Sequence, residues 1–153
     1  VALGSTCEYH AADPATVKTN IETISIGVGR QVLYFFPDRV LVYDRDGGVG
    51  AVGYQHLAVT VTGSRCIEDG SVPPDAKVVD RTWKYVNKKG GPDRRFKDNR
   101  ELPICLYDEV ALTSETGLNE VIQLSRHGAA NDFAAAIHAV ARSLMEARPD
   151  DSR

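Results

Sequence analysis

One stretch of this chain has helical periodicity, and it comes last. Phe133, Ile137, Val140 and Leu144 fall at i, i+4, i+7 and i+11, a single face of a helix. Asn131 reads as the N-cap, Asp132 suits the positive end of the helix dipole, and Pro149 stops extension, so a helix is expected over 131–147. Ala134, Ala135, Ala136, Ala139 and Ala141 add helix propensity.

The patterned sequence before this helix is β in texture. Ile24 and Ile26 alternate with Ser25 and Gly27. Val32 to Phe36 and Val40 to Tyr43 are aromatic and β-branched runs broken by Pro37-Asp38, which predicts a hairpin. Asp46-Gly47-Gly48 supplies the next turn, and Val49 to Tyr54 and Leu57 to Thr62 continue the series. Residues 63–76 hold Gly63, Gly70, Pro73 and Pro74 and read as a loop. Val78 to Val86 is a further strand, Lys88 to Asn99 a polar loop, and Ile104 to Leu112 and Leu118 to Ser125 a last pair around Ser114-Glu115-Thr116-Gly117. The expected fold is therefore mainly β: a bent antiparallel sheet or barrel of about seven strands, its apolar mouth closed by one amphipathic helix. Residues 1–20 read as an irregular lead-in, with Ala11-Ala12-Asp13-Pro14 as a loop. Residues 21–148 read as one domain and 149–153 as a tail.

The likeness to a known fold rests on the LYFFPDRVLVYD hairpin, the VGAVGYQHLAV segment with Tyr54 three residues before Leu57, and the terminal DFAAAIHAV. Over about residues 22–147 this order resembles the pleckstrin-homology-like (PH-like) superfold, in particular small bacterial PH-like and GRAM-type domains. TWKYVNKKGGPDRRFKDNRELP is similar to segments of uncharacterised bacterial multidomain proteins. The resemblance implies a bent sheet capped by a helix, and a non-catalytic module within a larger protein.

Composition narrows the function classes. With 153 residues, 42% hydrophobic and 25% charged, the chain is neither disordered nor fibrous. No apolar run approaches the roughly 20 residues of a membrane helix. Cys7, Cys66 and Cys105 are an odd, scattered set without a C-x-x-C pair, which favours a reducing, cytoplasmic setting over a disulfide framework. The chain starts at valine without a leader pattern and reads as trimmed from something longer.

Gly48-Val49-Gly50-Ala51-Val52-Gly53 matches G-x-G-x-x-G, but a dinucleotide site needs a helix to start there, and Tyr54 to Thr62 reads as strand. The segment is therefore expected to be a turn between strands, with no nucleotide. His10, His56, His127 and His138 form neither H-x-x-H nor H-E-x-x-H and read as ordinary surface or half-buried side chains. Cys66 and Cys105 lie in apolar runs and read as small core residues, and Trp83 as a core residue of its strand. No cofactor or metal is expected.

Charge is the sharpest asymmetry. Lys77 to Arg100 holds nine basic residues against three acidic ones, a charge of +6; with −3 overall, the remainder carries −9. Within it Lys84, Tyr85, Lys88, Lys89, Arg94, Arg95, Lys97 and Arg100 interleave cations with an aromatic ring, and Gly90-Gly91-Pro92 is expected to turn the chain. Arginine offers a planar fork to carboxylate or phosphate, and glycine lets backbone N–H groups approach an anion. These eight residues are the candidate binding residues; the plain alternative is a solvated loop guarding a sheet edge. The expected function is docking of a protein or peptide through the sheet edge or this loop. The alternatives are an anionic ligand, nucleic acid or a phosphorylated headgroup, on residues 84–100, and a hydrolase with an unrecognised site.

Overall fold

A computed structural model of the chain describes residues 22–147 and the backbone of Tyr9–Ala11. Cys7, the side chain of His10, the Ala12–Pro14 stretch, Pro149 and the 149–153 tail lie outside the described residues.

The first sheet is an antiparallel meander, β1 (Tyr9–Ala11), β2 (Ile24–Val28), β3 (Gln31–Phe35), β4 (Arg39–Asp44) and β5 (Val49–Gly53), in that order across the sheet. β1 is a strand in a segment whose sequence reads as irregular. Pro37-Asp38 turns the β3–β4 hairpin as expected, closed by the Phe36 N–H on the Arg39 carbonyl at 2.9 Å. After β5 a single 3-10 turn, Tyr54–His56, leads into the second sheet: β6 (Leu57–Ile67), β7 (Lys77–Trp83), β8 (Glu101–Ser114) and β9 (Asn119–Leu124). The helix α1 is Ala129–Glu146.

β8 is the axle of the second sheet. β6 pairs with one of its edges from Leu57↔Ser114 to Ile67↔Ile104. β7 and β9 share the other edge end to end, β7 on Glu101–Leu106 and β9 on Asp108–Thr113. Two open antiparallel sheets thus replace the expected sheet or barrel of about seven strands, and neither closes on itself among the described residues. β6 also runs on to Ile67, through residues expected to be loop, because β8 offers it a partner along its whole length.

The core lies between the sheets and under the helix. Leu33, Val40, Val110, Leu112 and Ala130 are at most 1% exposed, and Ile137 reaches into the same cluster. Phe133, Val140 and Leu144 of the expected stripe are partly buried against it. Phe133 meets Phe35 of β3 edge-on at 5.7 Å between ring centroids, tying the helix to the first sheet. The buried Tyr54 donates its hydroxyl to the Phe36 carbonyl at 2.6 Å; burial first, and then the charge of Asp38, push that phenol up to about 12.

The helix begins two residues earlier than expected. Asn131 lies inside its first turn, and the N-cap is Gly128 at φ 98°, a left-handed conformation that glycine adopts without a Cβ clash. Gly128 has no side chain to cap with, so the capping group comes from another element. Asp108 of β8, 2% exposed, accepts the Gly128 N–H at 2.6 Å and a hydrogen bond from His127 Nδ1 at 2.6 Å.

Candidate functional site

The basic segment folds as an arm off the outer half of β8. The Lys84 N–H bonds the Arg100 carbonyl at 2.9 Å, and an isolated bridge pairs Val86 with Pro92. Two tight turns lie on this hairpin. Asn87–Gly90, with Gly90 at φ 86°, holds Lys88 and Lys89 at its central positions, closed by Gly90 N–H on the Asn87 carbonyl at 3.0 Å. Asp93–Phe96 does the same for Arg94 and Arg95, with 3.3 Å from the Phe96 N–H to the Asp93 carbonyl.

The arm's backbone is held by its own polar side chains. Asn87 Oδ1 accepts the N–H groups of Lys89 (2.8 Å) and Gly91 (3.1 Å), and its Nδ2 donates to the Pro92 carbonyl at 3.1 Å. Asn99 accepts the Tyr85 N–H at 3.0 Å and donates to the carbonyls of Tyr85 (2.8 Å) and Asp93 (3.3 Å). Tyr85 stacks on Phe96 at 4.0 Å between centroids with 15° between the planes, and the Lys84 ammonium lies 5.7 Å from the Tyr85 ring centre.

The structure sorts the eight sequence candidates into two groups. Lys84 and Arg100 are committed to Asp69, Lys84 at 3.7 Å and Arg100 through a short ion pair. Arg95 is committed to the buried Asp93, Nε at 3.0 Å from Oδ1. The hydrogen bonds from Arg100 hold the Asp69 carboxyl below the usual range, and those from Arg95 do the same for Asp93. Tyr85 is committed to Phe96. Lys88, Lys89, Arg94 and Lys97 are exposed and have no side-chain partner among the described residues. Asp69, Asn87 and Asn99, which do the holding, carry no sequence signal beyond their turn-forming types.

A second candidate surface is the edge of β5 that no strand among the described residues pairs with. Its other edge pairs with β4, from Arg39↔Gly53 to Tyr43↔Val49, without a register shift. Of its six-residue glycine motif, Gly48 ends the turn after β4 and Val49–Gly53 are strand rather than a turn throughout; a 3-10 turn and β6 follow it rather than a helix. Two hollows adjoin the edge and share Ala51. One, of about 520 Å³, reaches Leu144 and Met145 at the end of α1. The other, of about 320 Å³, is walled by Thr116–Leu118 of the β8–β9 turn. A Cβ on Gly50 would sit 3.9 Å from the Val42 Cβ, an ordinary contact, so packing within the chain does not require glycine there. The free edge of β7 is built differently: a bulge interrupts it between Val78 and Asp80, and Lys77, Asp80 and Arg81 place charge along it. Bulges and charges are the usual means of keeping an edge from pairing. β5 has no charge, no proline and no bulge.

Chemistry-bearing groups elsewhere are placed in structural roles. The Asp108 carboxylate is opposed by burial, but the N–H of Gly128, the His127 ring and the N–H of Ala130 outweigh that and hold it below the usual range. His127 is bonded at Nδ1 to this helix cap. Ser125, two residues before it, gives its hydroxyl to Asp75 at 2.8 Å. Cys66 and Cys105 are free thiols at opposed positions of β6 and β8; burial pushes the Cys105 thiol up, away from the reactive thiolate. Trp83 is half-buried, at the end of β7. Among the described residues no three His, Cys, Asp or Glu side chains are grouped to hold a metal ion, and no helix is long and apolar enough to cross a membrane.

No protein-family model, curated protein or solved structure matches the chain.

Proposed function

We propose that the protein is a non-catalytic interaction module of PH-like architecture that docks a protein partner by adding an extended segment to the free edge of β5. The PH-like reading is supported by the element order: an antiparallel meander β2–β5, the strands β6, β8 and β9 on one axle, and a terminal helix over the core. Residues 68–100, carrying β7 and the arm, then form an insertion between β6 and β8. One observation carries the docking reading. Among the described residues β5 is regular, uncharged and open on one edge, while β7 in the same protein is bulged and charged. An unguarded edge pairs readily with a further strand, and the hollows on either side of Ala51 leave room for alternate side chains of such a strand.

The test starts from selection of displayed 12-residue peptides on the intact chain. Bound peptides are expected to be rich in β-branched residues and to slow hydrogen exchange at the amides of Val49–Gly53. Val49→Lys and Ala51→Lys, both at exposed positions, should weaken them at least about tenfold while changing stability by no more than about 0.5 kcal/mol. Peptides that bind with unchanged exchange in β5, or that bind both lysine variants normally, would show that the edge is not the site.

A further inference from the structure

The arm is the most strongly charged segment of the chain. Three of its seven cations are paired, Lys84 and Arg100 with Asp69 of the β6–β7 connection and Arg95 with Asp93 of the arm itself; Lys88, Lys89, Arg94 and Lys97 are exposed without a partner among the described residues. Asp98 is the one exposed carboxylate on the hairpin without a partner among the described residues, so the groups unpaired there carry +3. A loop that only kept charge in water would need no fixed shape. This one has its backbone fastened by two asparagines and its rings stacked, and it presents Lys88 and Lys89 from the turn that the Val86–Pro92 bridge encloses, Arg94 from the next turn, and Lys97 just after that. Apolar surface sits among them: Val86 is 48% and Phe96 41% exposed.

We infer that this arm is a docking surface for an acidic protein segment that carries an apolar side chain, its carboxylates meeting Lys88, Lys89, Arg94 and Lys97 and its apolar group meeting Phe96 and Val86. Charge complementarity identifies the occupant, and two observations favour a protein segment over a nucleic acid. The rings that would stack bases are already engaged with each other: Tyr85, half-buried, has Phe96 on it and the Lys84 ammonium near it, and Phe96 is the more exposed of the two. Beyond residues 77–100 the chain carries −9, which repels a polyanion longer than the arm, whereas a few clustered carboxylates fit within it. Nothing in this inference depends on what β5 binds, because the arm stands on the second sheet and is held by its own bonds and by Asp69 of the β6–β7 connection.

The experiment measures fluorescence anisotropy of two labelled probes with the intact chain at low salt. The first is a 12-residue peptide alternating Glu with Leu and Phe; the second is a 12-nucleotide single strand of thymidylate. The peptide is expected to bind more tightly than the oligonucleotide. Lys88→Glu with Lys89→Glu, and separately Arg94→Glu, should each weaken the peptide at least about tenfold. The neutral pair Lys88→Gln with Lys89→Gln should weaken it by less, and Arg142→Glu, an exposed charge reversal on α1, should leave it within about twofold. Phe96→Ala should weaken the Leu/Phe peptide but not a 12-residue polyglutamate. A peptide that fails to bind, or that binds the arm variants as well as it binds Arg142→Glu, overturns the inference. An oligonucleotide that binds more tightly than the peptide and is lost in the same arm variants overturns it in favour of nucleic acid.

Discussion

Removing the Asp108 carboxylate should loosen the start of α1 from the second sheet. The side chain is 2% exposed and accepts two hydrogen bonds of 2.6 Å, from the Gly128 N–H and from His127. Hydrogen bonds to a charged group contribute roughly 1.5–3 kcal/mol each, and loss of a helix cap costs about 0.5–2 kcal/mol. Against this, a buried carboxylate carries a desolvation cost of several kcal/mol, which Asp108→Ala also removes. What remains is dominated by the helix N–H groups left without an acceptor, so a net loss of about 2–4 kcal/mol is expected. For a chain of this size that is a fall in Tm of roughly 5–15 °C. Asp108→Asn keeps an oxygen for Gly128 but not the charge, and should lose less. The pH dependence gives a second reading. The folded-state carboxyl lies below its unfolded value of about 3.9, so its stabilisation is fully present above that pH and is lost as pH falls through the folded value. Urea unfolding of the wild type and Asp108→Asn should therefore differ near neutral pH and converge as pH drops below about 4. A loss under about 0.5 kcal/mol for Asp108→Ala, or a gap that persists unchanged to pH 2, would refute the capping role.

Other consequences can be checked on the same instruments. Ile137→Ala, in the core cluster at 6% exposure, should cost roughly 2–5 kcal/mol in urea unfolding. Tyr54→Phe loses the 2.6 Å bond to the Phe36 carbonyl and should cost about 0.5–1.5 kcal/mol near neutral pH. Because the phenol is pushed up to about 12 in the folded state from an unfolded value of about 10, the wild type should lose stability as pH rises through that interval. Tyr54→Phe should lack this loss, which alkaline unfolding curves will show. Asn99→Ala removes three hydrogen bonds within the arm, so amide exchange at Tyr85 should accelerate while that of Leu112 and Val110 stays slow.

The parts of the fold that were legible in the sequence are those with a local cause. Pro37-Asp38 between two β-branched runs produces the β3–β4 hairpin, and the Phe133–Leu144 stripe produces α1. What was not legible depends on partners distant in sequence. The helix cap is Asp108, 20 residues before the Gly128 N–H it accepts, so the nearest capping type, Asn131, misleads by position alone. β6 extends through Gly63 because β8 lies beside it, not because Gly63 favours a strand. In the basic segment, charge counting finds the patch but cannot separate Arg95, held by Asp93, from its neighbour Arg94, which has no partner among the described residues. Likewise the glycine motif identifies small residues at 48, 50 and 53, but only the strand order shows that β4 takes one side of β5 and no other described strand takes the other.

The two proposed surfaces differ in how far they are coupled to the core. Val52 of β5 is 5% exposed and belongs to the main cluster with Val40 and Leu33, so a strand added at that edge continues a sheet already anchored to the core. Binding there should spread protection into β4 and β3, because each new ladder bond steadies the next strand. The arm is built on the outer half of β8, where Leu102, Cys105 and Tyr107 are buried but lie outside that cluster. Its local anchors are the Tyr107 hydroxyl on Glu68 at 2.5 Å and the ion pairs of Asp69, all within the insertion and the strand that carries it. A ligand on the arm should therefore protect Tyr85 and its neighbours and leave the exchange of Leu33 unchanged. That independence also explains how a +6 segment is tolerated in a chain of −3: its charges are balanced or solvated locally, at Asp69, Asp93 and in water, so they put no unpaired charge into the core.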